Sequence, residues 1–282
     1  MEIDGKKIAA NLIADLKARP RPKKYLAALL VGHDPDSVSF VKIKEQTAKK
    51  LGWDFRLRHI LPEKLAKPLT SDFLRKEVLR LAKPKNCGGL LVQLPLPEKI
   101  DKHYVLNAIP PTKDIDVLSE RSIGACYNNR FPIRQPAVET AEEILGQLNL
   151  KTENLKIAVV GLGFLIGQPM ALWLTGRTKE LYLLDSRSDS SAQSGSASGG
   201  KILKNADVVI TGVGQAGLIK PAMLKENAVI IDFGWDTLNG KISGDLDTTN
   251  IIDLPIIYTP TPGGTGPILV AKLFENFYKL NE

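Results

Sequence analysis

Apolar and polar positions along this chain alternate between two periods, and the switches mark its elements. Between Ile8 and Lys17 the apolar residues recur at helical spacing. Tyr25–Val31 (YLAALLV) is an unbroken apolar run that reads as a buried strand. The pattern then predicts a helix from about Ser37 to Leu51, a strand at Asp54–Ile60, a helix at Thr70–Ala82 and a strand at Gly89–Gln93. Pro95/Pro97 and Pro110/Pro111 mark irregular connections, and Val138–Leu148 returns to helical spacing. Strands alternating with helices imply a largely parallel sheet with helices packed against it.

A second unit opens with Lys156–Val160, an apolar strand that runs directly into Gly161–Leu162–Gly163. A helix from about Gln168 to Leu174 and a strand at Leu181–Leu184, ending at Asp185, come next, and further strands are expected at Val208–Thr211 and Val229–Asp232. This is the order of a dinucleotide-binding βαβ fold. Residues 186–200 (SRSDSSAQSGSASGG) can bury little and read as a mobile loop. The chain closes with a glycine turn, Pro262–Pro267, and a helix from about Ile268 to Tyr278. The fold class is therefore α/β with two domains, residues 1–135 and a Rossmann-type unit over 136–265.

Composition narrows the setting. Apolar residues make up 43% and charged residues 24% of 282, as in ordinary soluble globular proteins. No apolar run approaches the roughly 18 residues of a membrane span, and the N-terminus mixes charges of both signs, unlike a signal peptide. Cys87 and Cys126 have no metal or redox spacing, so no metal site is expected, and a reducing, cytoplasmic setting is. The net charge of +7 is uneven: the first 85 residues carry +10 and the remainder −3. That asymmetry fits either an anionic ligand or a solvated lysine-rich face. No nucleic-acid-binding motif accompanies it, and neither nucleic acid nor membrane is expected as a partner.

Several residues carry candidate chemistry. Val41, Ala48 and Leu51 mark the core-facing stripe of the 37–51 helix; Lys44 falls on it, and Phe40 shares its face. An inward lysine either snorkels to the domain edge or is put to use, and a desolvated ammonium has a lowered pKa suited to proton transfer near neutrality. Gln93 ends the strand GGLLVQ, where open α/β sheets meet ligands, although an amide there can also bond the adjacent backbone. Lys113–Asp114–Ile115–Asp116 follows two prolines and sets carboxylates on a rigid loop, where solvation or a turn cap is by itself the favoured use. Gly161, Gly163 and Gly167 form G-x-G-x-x-x-G between strand and helix, one residue longer than the usual phosphate cradle. Pro262–Gly263–Gly264–Thr265–Gly266–Pro267 is too glycine-rich for a helix cap alone and brings backbone close to a ligand or closes a structural turn.

In this order SFVKIKEQTA, VQLPLP, PTKDID, the glycine loop and TPTPGGTGP resemble the bifunctional methylenetetrahydrofolate dehydrogenase/methenyltetrahydrofolate cyclohydrolase family, over Ile3 to Asn276. The resemblance implies a substrate cleft between an N-terminal domain and a Rossmann domain, with the C-terminal helix, residues 266–282, returning to the first. It implies oxidation of 5,10-methylenetetrahydrofolate with NADP, the family default, or NAD, then hydrolysis of the methenyl product to 10-formyltetrahydrofolate. Lys44 matches the family's catalytic lysine, Gln93 its hydrogen-bonded glutamine and Asp116 the carboxylate that holds the pterin. Phe40, Pro262, Gly263 and Gly264 match substrate-lining positions. Gly161, Leu162, Gly163, Gly167, Asp185, Ser186, Arg187, Val213, Gly214 and Trp235 make up the expected cofactor site. Folate, polyglutamylated in many members, and a homodimer are the implied partners.

The chain departs from the family pattern at several points. Phe40 stands where a tyrosine is usual, Val117 where a glycine follows the second aspartate, and Gln135–Pro136–Ala137–Val138 where Pro-Cys-Thr-Pro is common. Leu162 and Gly163 replace an Arg-Ser pair of the cofactor loop. Asp185, 24 residues beyond Gly161, suits the ribose of NAD, whereas Ser186 and Arg187 could clasp the 2′-phosphate of NADP. Two other readings stand beside the bifunctional enzyme: a cyclohydrolase with weak or lost dehydrogenase activity, and a folate- or nucleotide-binding regulator without turnover. The joint occurrence of Lys44, Gln93 and Asp116 argues against that regulator, and equally against an unrelated NAD-dependent dehydrogenase sharing only the Rossmann half.

Overall fold

The apolar run that dominates the N-terminal pattern is the middle strand of a three-stranded parallel sheet. In the computed structural model, which describes residues 1–185, 197–238, 240–249, 251 and 255–282, the chain separates into two compact units. One is Asn11–Pro136 with Val270–Glu282; the other is Met1–Ala10 with Ala137–Leu269. The first ten residues thus group with the second unit, where the sequence division had them in the first. The reason is local: the Ile3 amide donates to the Tyr258 carbonyl at 2.8 Å, and the Tyr258 amide to Met1 at 3.0 Å.

In the first unit, α1 (Gly5–Ala18) leads to β1 (Tyr25–Val31), α2 (Pro35–Leu51) and β2 (Phe55–Ile60). Then come α3 (Ser71–Ala82), β3 (Cys87–Val92), α4 (Lys102–Leu106) and α5 (Glu120–Tyr127). The sheet order is β2-β1-β3, with both pairings parallel and β1 buried throughout. Helix α2 starts two residues earlier than the pattern predicted, because the Asp34 side chain accepts from the Ser37 amide (2.8 Å) and Pro35 occupies the first turn. Gly52, at φ 69°, ends it in a left-handed cap. Strand β3 ends at Val92, so Gln93 sits one residue beyond it. The short helices α4 and α5, capped by Asp101 and Ser119, were not visible as periodicity.

Helix Thr265–Lys279 closes the core of this unit with its C-terminal part. Phe274, Phe277 and Tyr278 pack with Leu16, Leu26, Ala28 and Leu91, and Trp53 lies 5.6–6.1 Å from all three rings. Gly88 and Gly89 permit this approach. A Cβ on Gly89 would lie 2.7 Å from a Phe277 ring carbon, and one on Gly88 would lie 2.4 Å from Asn281 Oδ1.

The second unit holds a five-stranded parallel sheet. Its elements are α6 (Pro136–Gln147), β4 (Lys156–Val160), α7 (Gly167–Leu174), β5 (Glu180–Leu184), α8 (Ala197–Asn205), β6 (Val208–Thr211) and β7 (Val229–Asp232). An antiparallel hairpin of β8 (Asp236–Leu238) and β9 (Lys241–Ser243) precedes β10 (Ile257–Tyr258). The order β10-β7-β6-β4-β5 places the reversal of winding between β4 and β6. Of the segment read as a mobile loop, residues 186–196 lie outside the described residues, and Ala197–Gly200 instead begin α8. Among the described residues no helix is long and apolar enough to cross a membrane, and no group of three or more His, Cys, Asp or Glu residues is arranged to hold a metal ion.

Candidate active site

The buried positions of α2 are Ser37, Val41, Lys44, Ala48 and Leu51, so Lys44 lies on the apolar stripe as its spacing predicted. Only 8% of Lys44 is exposed, and its Nζ donates to Gln93 Oε1 at 2.9 Å inside the unit. Gln93 Nε2 donates to the Leu94 carbonyl at 2.7 Å. That second bond decides which way the amide faces: its nitrogen is engaged by backbone, so its oxygen is presented to the ammonium. Burial drives the Lys44 pKa down, and the nearby negative charge of Asp116 acts against that shift. Phe40, half-buried, lies one turn before Lys44 on the same helix.

Asp116 is held by a loop that other groups make rigid. Its neighbour Asp114 is fully buried and accepts from the amides of Leu118 (3.1 Å) and Ser119 (2.8 Å). Asn276 Nδ2, from the C-terminal helix, donates to the carbonyls of Ile115 (3.0 Å) and Arg134 (2.7 Å). Burial raises the Asp116 carboxyl to about 6; Lys44 pulls it down and Asp114 pushes it up. Val117, fully buried at φ 57°, occupies a left-handed conformation that a β-branched residue seldom adopts. This is the residue that stands in place of a glycine.

The cofactor residues expected from sequence lie in the second unit. Gly161 has φ 81°, and a Cβ there would meet Val213 Cγ2 at 2.7 Å; one on Gly167 would meet the Gly161 carbonyl oxygen at 1.8 Å. These two glycines close the turn. Gly163 faces open space, and Leu162 beside it is half-buried. Gly214, at φ 74°, lies against the Trp235 carbonyl, 3.4 Å from where a Cβ would stand, so two expected cofactor residues come together across β6 and β7. Asp185 is the residue after β5. Ser186 and Arg187 lie outside the described residues.

The Pro262–Gly264 turn belongs to the same unit as the glycine loop, whereas Lys44, Gln93, Asp116 and Phe40 belong to the other. Gly263 has φ 109°, and a Cβ on Gly5 would lie 1.8 Å from the Gly264 carbonyl oxygen. The turn is shorter than expected: Thr265, Gly266 and Pro267 already form the first turn of the C-terminal helix.

Two buried acids escaped the sequence reading. Asp232 ends β7 and Asp245 follows β9; they are 1% and 0% exposed. Asp245 accepts from Thr211 Oγ1 (2.6 Å) and from the amides of Val213 and Gln215 (both 2.8 Å). Asp232 accepts from the amides of Gly234 (2.7 Å) and Leu246 (2.9 Å). Burial, then the charge of Asp245, raise Asp232 to about 7. The available signal was the strand VIID, whose final residue is an acid paired in register with Thr211.

Comparison with known proteins finds two family models on the chain. Residues 3–116 match the catalytic domain, and 137–282 the NAD(P)-binding domain, of tetrahydrofolate dehydrogenase/cyclohydrolase. The bifunctional protein FolD of Macrococcus caseolyticus is 34% identical over 281 residues, covering 97% of this chain and 95% of that protein. Among solved structures, the bifunctional enzyme FolD of Campylobacter jejuni superposes with a TM-score of 0.89 at 26% identity, covering 100% of this chain and 98% of that one. The Trypanosoma brucei dehydrogenase-cyclohydrolase, solved with NADP and an inhibitor, gives 0.85 at 26% identity, with coverage of 99% and 96%.

Proposed function

We infer the chemistry of individual residues from one premise: this chain belongs to the tetrahydrofolate dehydrogenase/cyclohydrolase family. Its activity is that of a bifunctional enzyme, oxidising 5,10-methylenetetrahydrofolate to the methenyl form and hydrolysing that product to 10-formyltetrahydrofolate. The observation that carries the residue assignments is the buried Lys44–Gln93 pair under the charge of Asp116.

Methenyltetrahydrofolate is already electrophilic at its bridging carbon, so water attack needs protons moved rather than a stronger electrophile. Lys44 supplies this. Desolvation lets its amine take up and release a proton closer to neutrality than a surface lysine does. Gln93 holds Nζ by its amide oxygen and is itself fixed to backbone, so the amine is oriented before substrate arrives. Asp116, at about 6, is mainly carboxylate at neutral pH and can accept from the ring nitrogen and amino group of a pterin. Phe40 offers a ring face without the usual hydroxyl. The basic excess of the first 85 residues suits a polyglutamate tail.

The glycine turn fits a dinucleotide, because Gly161 and Gly167 draw backbone and helix start together while Gly163 leaves open space. Gly161, Leu162, Gly163, Gly167, Asp185, Val213, Gly214 and Trp235 would hold it, with Ser186 and Arg187. When bound, the nicotinamide accepts the hydride. Leu162 brings no positive charge to this turn, and Asp185 at the end of β5 accepts ribose hydroxyls and repels a phosphate. NAD is therefore used comparably to NADP or better, and Arg187 supplies any remaining affinity for the 2′-phosphate. The same lack of a cation at Leu162 favours, as a second reading, a cyclohydrolase with weakened dehydrogenase activity. The homodimer expected from the resemblance belongs to this proposal and is checked by light scattering.

A spectrophotometric assay with methylenetetrahydrofolate, run separately with NAD and NADP, tests the proposal. Comparable kcat/KM with the two cofactors is the expected result. A hundredfold NADP preference unaffected by Arg187→Ala overturns the cofactor assignment, and hydrolysis without oxidation selects the second reading.

A further inference from the structure

The Val213–Gln215 turn is held almost entirely by acids. Asp245 takes the amides of Val213 and Gln215, Asp236 Oδ2 takes that of Ala216 (3.0 Å), and the Gly244 carbonyl takes that of Gly217 (3.1 Å). Asp245 also binds the Thr211 hydroxyl at the end of β6, so one carboxylate joins the strand end to the turn that leaves it.

Asp245 is placed there by a reciprocal packing of glycine on carboxylate. A Cβ on Gly234 would lie 2.3 Å from Asp245 Oδ1, and one on Gly244 would lie 2.2 Å from Asp232 Oδ2. Each acid thus occupies the space opened by a glycine beside the other, and the hairpin of β8 and β9, between Gly234 and Gly244, brings the two segments face to face. The hydroxyl of Thr265 donates to the Asp232 carbonyl oxygen at 2.8 Å, and the Asp232 amide donates to Thr259 Oγ1 at 2.7 Å. Among the described residues, the charge that acts on the Asp232 carboxylate is that of Asp245, and the donors to it are backbone amides.

We propose that Asp245, locked against Asp232 by Gly234 and Gly244, is the positioning residue that shapes the Val213–Gln215 turn for the nicotinamide cofactor. The proposal rests on the reading that Val213 and Gly214 contact that cofactor. Asp245 does not touch the reacting atoms. It acts through the turn, by consuming two amides and the Thr211 hydroxyl that would otherwise let the turn relax.

Asparagine cannot replace it. Thr211 Oγ1 and the Val213 amide converge on Oδ2 while the Gln215 amide meets Oδ1, so an amide NH2 on either side confronts a donor. Thr211→Val removes one donor and keeps the side chain's shape.

The experiment measures dinucleotide affinity by calorimetry, and steady-state KM and kcat, in the parent, Asp245→Asn and Thr211→Val. The expected result is a cofactor KM raised about tenfold in Asp245→Asn and about threefold in Thr211→Val. KM for methylenetetrahydrofolate and the rate of methenyltetrahydrofolate hydrolysis, which takes no nucleotide, stay at parental values. Should Asp245→Asn fail to fold, Thr211→Val carries the test alone. Parental cofactor KM in the folded variants overturns the proposal, as does a uniform fall of both activities with the unfolding midpoint. A parent that binds neither NAD nor NADP removes the underlying cofactor reading instead, and the proposal with it.

Discussion

Replacing Lys44 by methionine separates three contributions of one buried ammonium. The first is chemical. Loss of a positioned acid–base group costs about 10²–10⁴-fold in rate, or roughly 3–5 kcal/mol of barrier, so hydrolysis of methenyltetrahydrofolate should fall into that range. The second is structural. Gln93 Oε1 loses its donor, and a buried acceptor without a partner costs roughly 1–3 kcal/mol. Against this, the lowered pKa of Lys44 means that the folded protein holds the charge less well than water does, so its removal returns part of that cost. Methionine also fills most of the lysine's volume with apolar atoms. The net change in stability should stay within about 1 kcal/mol. The third is electrostatic. Lys44 holds Asp116 down, and without it the carboxyl rises above its parental value of about 6. Folate binding that needs the carboxylate strengthens as pH rises through this pKa, so the rise should occur at higher pH in the variant. Hydrolysis is followed by the absorbance of the methenyl compound, stability by urea denaturation, and binding by calorimetry from pH 5 to 8. A folded variant that hydrolyses at the parental rate refutes the role of Lys44; an unmoved pH midpoint refutes its coupling to Asp116.

Asp232→Asn should change how stability depends on pH. The folded carboxyl is raised to about 7 from an ordinary 3.8, so its contribution is fully present below about 3.8 and is lost as pH rises through 7. That interval corresponds to roughly 4 kcal/mol at most, and the variant should lack this decline in denaturation curves recorded from pH 5 to 8.5; a parallel decline in both proteins refutes the assignment. Gly89→Ala should destabilise the first unit by about 1–3 kcal/mol through overpacking against Phe277 and Ile115, and an unfolding midpoint equal to that of the parent would contradict the packing described.

How much of this could be read from the chain depended on whether the signal was local. Lys44 was legible because a helix face repeats every three to four residues, and one lysine broke an apolar stripe. Gln93 was legible because an apolar strand ended on it, and the glycine loop because a strand fed it. The role of Asp116 came from resemblance alone; in the fold its electrostatics depend on Asp114 and Lys44, and its loop is pinned by Asn276 from the far end of the chain. Asp232 read only as the end of a strand and Asp245 left no signal, since the β8–β9 hairpin is what brings them together. Gly88 and Gly89 read as the start of the strand GGLLVQ; their purpose is set by Phe277 and Asn281, nearly two hundred residues later. The strain at Val117 was legible only as a departure from the family's glycine, since periodicity says nothing of left-handed backbone.

The closing helix also dictates an order of events during synthesis. Leu26, Ala28, Trp53 and Leu91 are made well before the aromatic residues that cover them, Phe274, Phe277 and Tyr278. The sequence separation makes this a core of high contact order, slow to close and exposed while it waits. The dinucleotide-type unit needs nothing beyond Leu269, so its chain is complete before that of the unit that precedes it. Translation thus completes the nucleotide-type unit before the catalytic one, although most of the catalytic unit is made first.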